Sequence, residues 1–245
     1  MNKKKRNILV LVEGEKADVA VMRRLFALYH ELGADYQIVS YRTNIYVLYE
    51  LFFKDADGPD SIDLLQALKS REPDAERKAI FDEKYTDTLL IFDLDPQDSL
   101  FTPEKIQSLQ AYFTESSDMG RLYINYPMVE AFYHMTSIPD PLYLSRCVTM
   151  DELKAKTYKT RVNKETRMRS YTKFIIDREA CSIVVRQNIE KAWHILNRKN
   201  CESLQGDMPL MDVLTAQMAS LGNGYLYVLC TCVFFVYEYN PALIL

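Results

Sequence analysis

The sequence predicts an α/β protein with a mainly parallel sheet flanked by helices, followed by a mostly helical C-terminal region. Three short apolar runs, at residues 7–12, 87–92 and 121–125, have the pattern of strands buried on both faces. Segments of helical periodicity separate these runs, and such alternation is typical of a parallel sheet. Only 7 Gly accompany 17 Tyr and 11 Phe among 245 residues, which disfavours an all-β sandwich with its many tight turns.

The first predicted unit is a strand, a turn and a helix. The strand covers residues 7–12, Gly14 turns the chain, and apolar residues then recur at three- and four-residue spacing from Lys16 onward. A second strand is predicted over residues 36–40 and a second helix over residues 45–53. This order of elements is that of an open α/β sheet at its first crossover.

The middle of the chain continues the alternation. Thr102 followed by Pro103 has the pattern of a helix N-cap with proline at the first helical position. The charged, weakly patterned residues 69–84 are predicted to form a surface insertion. The other predicted elements of this part are helices over residues 61–68, 103–113 and 127–134 and strands over residues 87–92 and 121–125.

Strand signals fade after about residue 145. Residues 180–196 and 208–237 have mainly helical patterns, although the β-branched and aromatic residues 225–237 also suit a strand. We therefore predict a catalytic domain over residues 1–145 and a basic, mostly helical region over residues 146–245.

Composition places the chain among folded cytoplasmic proteins. Apolar residues make up 48% and charged residues 26%, close to globular averages. The five cysteines form no Cys-x-x-Cys pair and have no histidine at zinc-ligand spacing, which predicts reduced thiols. The apolar run near the start is too short for a signal peptide, and the run at residues 226–237 is too short to span a bilayer, so no membrane partner is expected.

Positive charge is concentrated in the segment from residue 154 to residue 178, which we call the basic strip. It holds nine basic side chains against two acidic ones, while the first 150 residues carry an excess of acids. Such a run is often a solvated helix face, but it also suits a surface that binds phosphates. The nine residues are Lys154, Lys156, Lys159, Arg161, Lys164, Arg167, Arg169, Lys173 and Arg178.

Acidic residues follow two of the predicted strands. Glu13 comes directly after the first strand, and Asp93 and Asp95 come after the strand at residues 87–92. The carboxyl ends of parallel strands meet at one edge of a sheet, so these three carboxylates are expected to converge. Such a cluster is unfavourable unless a cation neutralises it, and hard oxygen ligands favour Mg²⁺ or Mn²⁺. Alternatively, Glu13 interacts with a helix dipole and the two aspartates cap a turn.

The two strands and their acids resemble the Toprim signature. The sequence Ile-Leu-Val-Leu-Val-Glu13-Gly14 is followed about 80 residues later by Leu-Leu-Ile-Phe-Asp93-Leu-Asp95. That order is similar to the Glu-Gly and Asp-x-Asp strands of Toprim domains in topoisomerases, DnaG-type primases and OLD-family nucleases. The segment from Glu13 to Asp18 is most similar to the opening of RloB-like proteins, which are associated with bacterial phage defence. The later Asn-Pro-x-Phe-Glu motif of those proteins has a counterpart in residues 125–130.

This resemblance implies a Toprim-like, Rossmannoid fold and metal-assisted cleavage of nucleic-acid phosphodiesters. Asp93 and Asp95 are expected to hold Mg²⁺ or Mn²⁺, and Glu13 to bind metal or to act as a general acid or base. Glu130 is a candidate ligand for a second metal, or a surface acid paired with a nearby base. Lys16 and the basic strip are expected to bind the backbone of DNA or RNA. Asp98 is a further possible ligand in a polar loop.

Two other functions remain open on the sequence. One is a Toprim-like binding or regulatory module controlled by an ATPase. The chain has no Walker A motif, so that ATPase is a separate polypeptide. The other is a HAD-like phosphotransfer enzyme for small molecules, because Asp93 follows a hydrophobic strand as an aspartyl nucleophile does in that chemistry. The HAD-like alternative does not explain the Glu13-Gly14 pair or the basic strip.

Overall fold

A computed structural model describes residues 6–32, 34–54, 59, 62–117, 119–167, 171–175, 177–197 and 206–244. The strands of its main sheet are β1 (Arg6–Val12), β2 (Ala34–Ser40), β3 (Asp87–Asp93), β4 (Thr114–Glu115) and β5 (Gly120–Asn125). Their order across the sheet is β2-β1-β3-β5-β4. All pairings are parallel except that of the short edge strand β4, which is antiparallel to β5. The predicted α/β class is therefore confirmed.

Helices cover the sheet and form most of the C-terminal region. In the first half they are α1 (Ala17–Leu28), α2 (Ile45–Phe53), α3 (Leu64–Arg71), α4 (Ala75–Ile80) and α5 (Pro103–Tyr112). In the second half they are α6 (Met150–Lys154), α7 (Tyr158–Glu165), α8 (Tyr171–Phe174), α9 (Arg178–Ile195), α10 (Leu210–Gly222) and α11 (Phe234–Tyr239). Short 3₁₀ helices occupy His30–Leu32, Val129–Tyr133, Tyr143–Ser145, Thr231–Val233 and Pro241–Leu243.

The central strand β3 lies inside the hydrophobic core. All seven of its residues are buried, as expected for a strand with helices on both faces.

The predicted helix start at Thr102 is confirmed, since its side chain accepts a hydrogen bond from the backbone N–H of Lys105 and α5 begins at Pro103.

Two segments differ in local structure from what the sequence indicated. Residues 69–84 contain the end of α3 and the whole of α4, because the Asp74 side chain accepts hydrogen bonds from the backbone N–H groups of Glu76 and Arg77 and caps a short charged helix. All residues of α4 lie at the surface or are only partly covered. Residues 127–134 form a 3₁₀ helix over Val129–Tyr133 where an α-helix was expected.

The C-terminal region packs against β5. Two further strands, β6 (Cys147–Thr149) and β7 (Tyr225–Tyr227), form an antiparallel pair, so residues 225–237 begin as a strand and continue as helix. The hydroxyl of Thr231 donates to the carbonyl of Ile124 at 2.8 Å. The hydrophobic core includes residues on both sides of residue 145, and the division into two domains stays a prediction. Among the helices of the described ranges, none has the length and apolar composition that a membrane crossing requires.

Candidate metal centre

Three carboxylates meet at the carboxyl edge of the sheet, and we call them the acidic cluster. Glu13 follows the last residue of β1, Asp93 is the last residue of β3, and Asp95 lies two residues further on. One ligand oxygen from each lies within 4.8 Å of those of the other two. The convergence expected from the sequence is therefore present, and the spacing suits a single small cation.

The strand register brings Glu13 to Asp93. Val12 of β1 lies opposite Ile91 of β3, and the backbone N–H of Glu13 extends the ladder to the Ile91 carbonyl at 3.1 Å. The Glu13 side chain then accepts a hydrogen bond at 3.2 Å from the backbone N–H of Asp93. The pairing of two buried apolar strands thus fixes two acids that are 80 residues apart in sequence.

Asp95 is held by the loop that leaves β3. Its backbone lies in the left-handed region at φ 40°, which is uncommon for a residue other than glycine. The backbone N–H of Asp95 donates to the Pro127 carbonyl at 3.1 Å, and Gln97 donates a side-chain hydrogen bond to its carboxylate at 3.0 Å. Leu94 between the two aspartates is fully buried. This arrangement turns both carboxylates toward Glu13 while the leucine anchors the loop.

The electrostatics of the acidic cluster favour a bound cation. Burial, together with the charge of Asp95, raises the pKa of Glu13 from 4.5 to about 8. Burial raises the pKa of Asp93 well above its ordinary value, and the charges of neighbouring acids raise it further. The pKa of Asp95 is also raised by burial. Ionising all three groups is therefore unfavourable in the protein alone, and a divalent cation would relieve this cost.

Two further acids border Asp93. Asp18 on the first turn of α1 is 5% exposed, and Glu130 is 7% exposed. Each has one buried carboxylate oxygen, Oδ1 of Asp18 and Oε2 of Glu130, without a hydrogen-bond partner. Burial raises the pKa of Asp18 to about 6, and the Glu130 charge contributes to the rise. Buried polar atoms normally have partners, so these two oxygens are unusual in having none.

Sequence reasoning included Glu130 but missed Asp18. The signal was the helical spacing of Asp18 with the buried residues Val21, Met22 and Leu25, which places an acid on the apolar face of α1. Gly14 makes the arrangement possible, since a Cβ at that position would lie 2.4 Å from Oδ2 of Asp18. A larger residue at position 14 would therefore clash with the Asp18 carboxylate, which explains the glycine of the Glu13-Gly14 pair.

Lys159 is the residue of the basic strip that the structure brings to the acids. Its Nζ lies 3.0 Å from Oε1 of Glu130. Burial acts to lower the pKa of Lys159, but the charges of Glu130, Asp93 and Asp95 raise it overall. Its side chain is 62% exposed, so the ammonium group borders both the acids and solvent.

The other predicted nucleic-acid-binding residues are spread over several elements. Arg161 is half-buried and donates to Glu152 at 2.7 Å and to the Cys147 carbonyl at 2.7 Å. Arg169 lies outside the described residues. Arg178 at the end of the strip pairs with Glu31. Besides Lys159, the exposed members of the predicted set are Lys16, Lys154, Lys156, Lys164, Arg167 and Lys173.

His134 and Asp98 have partners away from the acidic cluster. The His134 ring is buried between the Tyr158 hydroxyl at 3.2 Å and the Glu165 carboxylate at 2.9 Å, so it anchors α7. Asp98 accepts a hydrogen bond from the Asn44 side chain at 2.9 Å and from the backbone N–H of Leu100. Both side chains therefore have structural partners in the fold.

No protein family model matches the chain, nor does any curated protein or solved structure. The three acids of the acidic cluster supply hard oxygen ligands, and such a set suits Mg²⁺ or Mn²⁺ better than Zn²⁺, which prefers histidine and cysteine.

Proposed function

We propose that this protein is a Mg²⁺- or Mn²⁺-dependent nuclease that cleaves phosphodiester bonds in nucleic acid. The observation that carries the proposal is the meeting of Glu13, Asp93 and Asp95 at the carboxyl edge of the sheet. This edge is where ligands bind in open α/β folds. The order of the two motifs that supply these acids is similar to that of Toprim nucleases, and by that resemblance we extend the proposal to an effector of bacterial phage defence.

In this proposal Asp93 is the central ligand. Glu13, Asp93 and Asp95 hold one cation, while Asp18 and Glu130 hold a second beside Asp93. The bound cations would polarise the scissile phosphate and neutralise the negative charge that develops during cleavage.

The remaining side chains act on the substrate. Lys159 beside Glu130 reaches a phosphate oxygen from the solvent side, and its charge offsets the repulsion between the acids and a polyanion. Glu13 lines an open cleft, and its carboxylate would either bind the cation or accept a proton from the attacking water. Backbone binding by Lys159, Lys16 and the exposed residues of the basic strip is independent of base sequence.

The test compares three proteins: the wild type, Asp93→Asn/Asp95→Asn, and Asp98→Asn as a control that loses a charge in the same loop. Each is incubated with single- and double-stranded DNA and RNA, with and without Mn²⁺, and Mn²⁺ binding is measured by calorimetry. We expect metal-dependent cutting by the wild type and the control only, together with loss of Mn²⁺ binding in the double variant.

Other outcomes identify the other functions. Release of phosphate from small esters, with all nucleic acids left intact, would indicate a small-molecule phosphotransfer enzyme. Mn²⁺ binding that depends on the aspartates, without any cutting or ester hydrolysis, would indicate a regulatory module. Equal cutting by the double variant would exclude the acidic cluster as the reactive site.

A further inference from the structure

A cavity of about 290 Å³ lies beside the metal centre, at the carboxyl end of β2. This volume is close to the lower end of the ~300 to 1,000 Å³ found for small-molecule sites, so it suits one flat ring system with a small substituent. Its walls are mostly apolar, and two arginines stand among them. The residues that matter here are Val39, Tyr41, Arg42, Val47, Arg71 and Phe81.

The cavity adjoins an open cleft that is lined by Glu13. Arg42 and Thr43 line both this cavity and an open cleft of about 450 Å³ that contains Glu13. The backbone N–H of Arg42 donates to the Glu13 carbonyl at 3.1 Å. Leu11 of β1 lines the cavity and lies two residues before Glu13, which extends the strand by one ladder hydrogen bond, so the two side chains point to the same face of the sheet. Arg42 and Thr43 therefore form the boundary that the cavity and the cleft share.

The connecting residue has an unusual backbone conformation. Arg42 lies in the left-handed region at φ 59°, although it is not a glycine. Such conformations are costly and cluster at ligand-binding sites. The Arg42 side chain pairs with Glu15, but both side chains are more than half exposed, so the pair is weak and a phosphate can displace the carboxylate.

The chemistry of the walls suits an aromatic base. Phe81 and Val39 are buried at 6% and 4% exposure, and the Tyr41 ring packs edge-on against Phe92 with 6.0 Å between ring centroids. Bases of single strands bind to proteins largely through such apolar and aromatic surfaces. Arg71, exposed at the rim, adds positive charge beside the path of a phosphate backbone.

We infer that this cavity receives one base of the nucleic-acid strand whose phosphate lies at the metal centre. The inference rests on the proposed nuclease function and makes its substrate more specific. A base inside a duplex is stacked and paired, and it must leave the stack to enter such a cavity. The substrate is therefore a single strand, or a duplex with an unpaired or displaced base next to the cut.

The experiment moves one abasic site along a short single-stranded oligonucleotide. Dissociation constants are measured by fluorescence anisotropy with Ca²⁺, and cutting with Mn²⁺. At one position next to the cut, the abasic site is expected to weaken binding by about tenfold, the scale of one lost stacking contact. At other positions the change is expected to stay below about twofold.

Two variants locate that effect in the cavity. Val47→Phe places a ring in the cavity from a partly exposed position on α2, and Leu51→Phe on the same helix is the matched control outside the cavity lining. Val47→Phe should weaken binding of the intact strand by about tenfold and should abolish the abasic penalty, because the base is already excluded. Leu51→Phe should leave both values unchanged. The Mn²⁺ affinity of all three proteins should be the same.

Each other outcome overturns the inference in a distinguishable way. Cutting that depends on the acidic cluster but shows no special abasic position, or that is as fast on intact duplex, refutes the base cavity and leaves the nuclease proposal standing. Mononucleotides that bind as tightly as the strand, with a loss in Val47→Phe, assign the cavity to a free nucleotide. Failure of every oligonucleotide to bind and to be cut refutes both proposals.

Discussion

Replacing Asp93 with asparagine should have opposite effects on stability with and without metal. Asp93 is 8% exposed and is surrounded by other acids that raise its pKa. Asparagine has nearly the same shape, and its side-chain oxygen can still accept the hydrogen bond that Asn125 now donates at 3.3 Å. The substitution therefore removes a charge from the acidic cluster while it keeps the packing.

The pKa of Glu13 gives the scale of the destabilisation that the acidic cluster causes without metal. A rise from 4.5 to about 8 corresponds to up to about 5 kcal/mol, at ~1.4 kcal/mol per pH unit, for ionising Glu13 in the folded protein without metal. Because the folded-state pKa lies above the unfolded one, this destabilisation is absent below pH 4.5, grows between pH 4.5 and pH 8, and is constant above that range. A cost of the same kind applies to Asp93 itself, because burial and the charges of neighbouring acids raise its pKa well above the ordinary value. An uncharged asparagine relieves this cost, by on the order of 1 to 2 kcal/mol.

Bound metal should make the wild type more stable than Asp93→Asn. A cation at 100 times its dissociation constant stabilises the wild type by about 2.7 kcal/mol. For a chain of this size, 1 kcal/mol shifts Tm by about 2 to 4 °C. At pH 8.5 without metal, Asp93→Asn should therefore melt about 2 to 8 °C above the wild type. With saturating Mg²⁺, the wild type should gain about 5 to 10 °C and the variant almost nothing.

The assay is thermal unfolding followed by circular dichroism, at pH 5 and pH 8.5, with EDTA or with Mg²⁺. Asp98→Asn is the matched control and should respond to metal like the wild type, since its partners are Asn44 and Leu100. A variant that is less stable than the wild type without metal, or that gains as much from Mg²⁺, would refute the role of Asp93 as a ligand.

Three other predictions concern the neighbours of the acidic cluster. Asp18→Asn should reduce the Mn²⁺ stoichiometry measured by calorimetry from two to one, and two ions bound with unchanged affinity would contradict the second site. Binding of an oligonucleotide depends on salt, and Lys159→Ala should reduce the slope of log Kd against log salt concentration by about one. Lys84 lies at the opposite edge of the sheet, so the control Lys84→Ala should leave the slope unchanged. Burial lowers the pKa of His134 to about 4. The neutral ring should therefore stabilise the fold fully above pH 6.5, and this stabilisation should be lost as the pH falls toward 4. NMR titration of His134 and the Tm values of wild type and His134→Gln over this pH range check the prediction.

The strands and the three principal acids were predictable because their signals are local. A buried parallel strand has a continuous apolar run, and the residue that follows the run stands at the carboxyl edge of the sheet. Glu13, Asp93 and Asp95 all follow such runs, so their convergence required no knowledge of loop packing. The helix over Ala75–Ile80 escaped prediction because it has a cap but no apolar face, and periodicity carries no signal for such a helix.

The amino-acid sequence by itself determined the α/β class, and it identified the three acids that meet at the carboxyl edge of the sheet. Only the tertiary structure decided which more distant residues join them. Asp18 depends on how α1 packs, Lys159 was one of nine similar cations until α7 placed it beside Glu130, and the cavity next to Arg42 lies between elements far apart in sequence. Spacing along the chain specifies neighbours within a helix or strand, whereas contacts between elements depend on side-chain packing across the whole core.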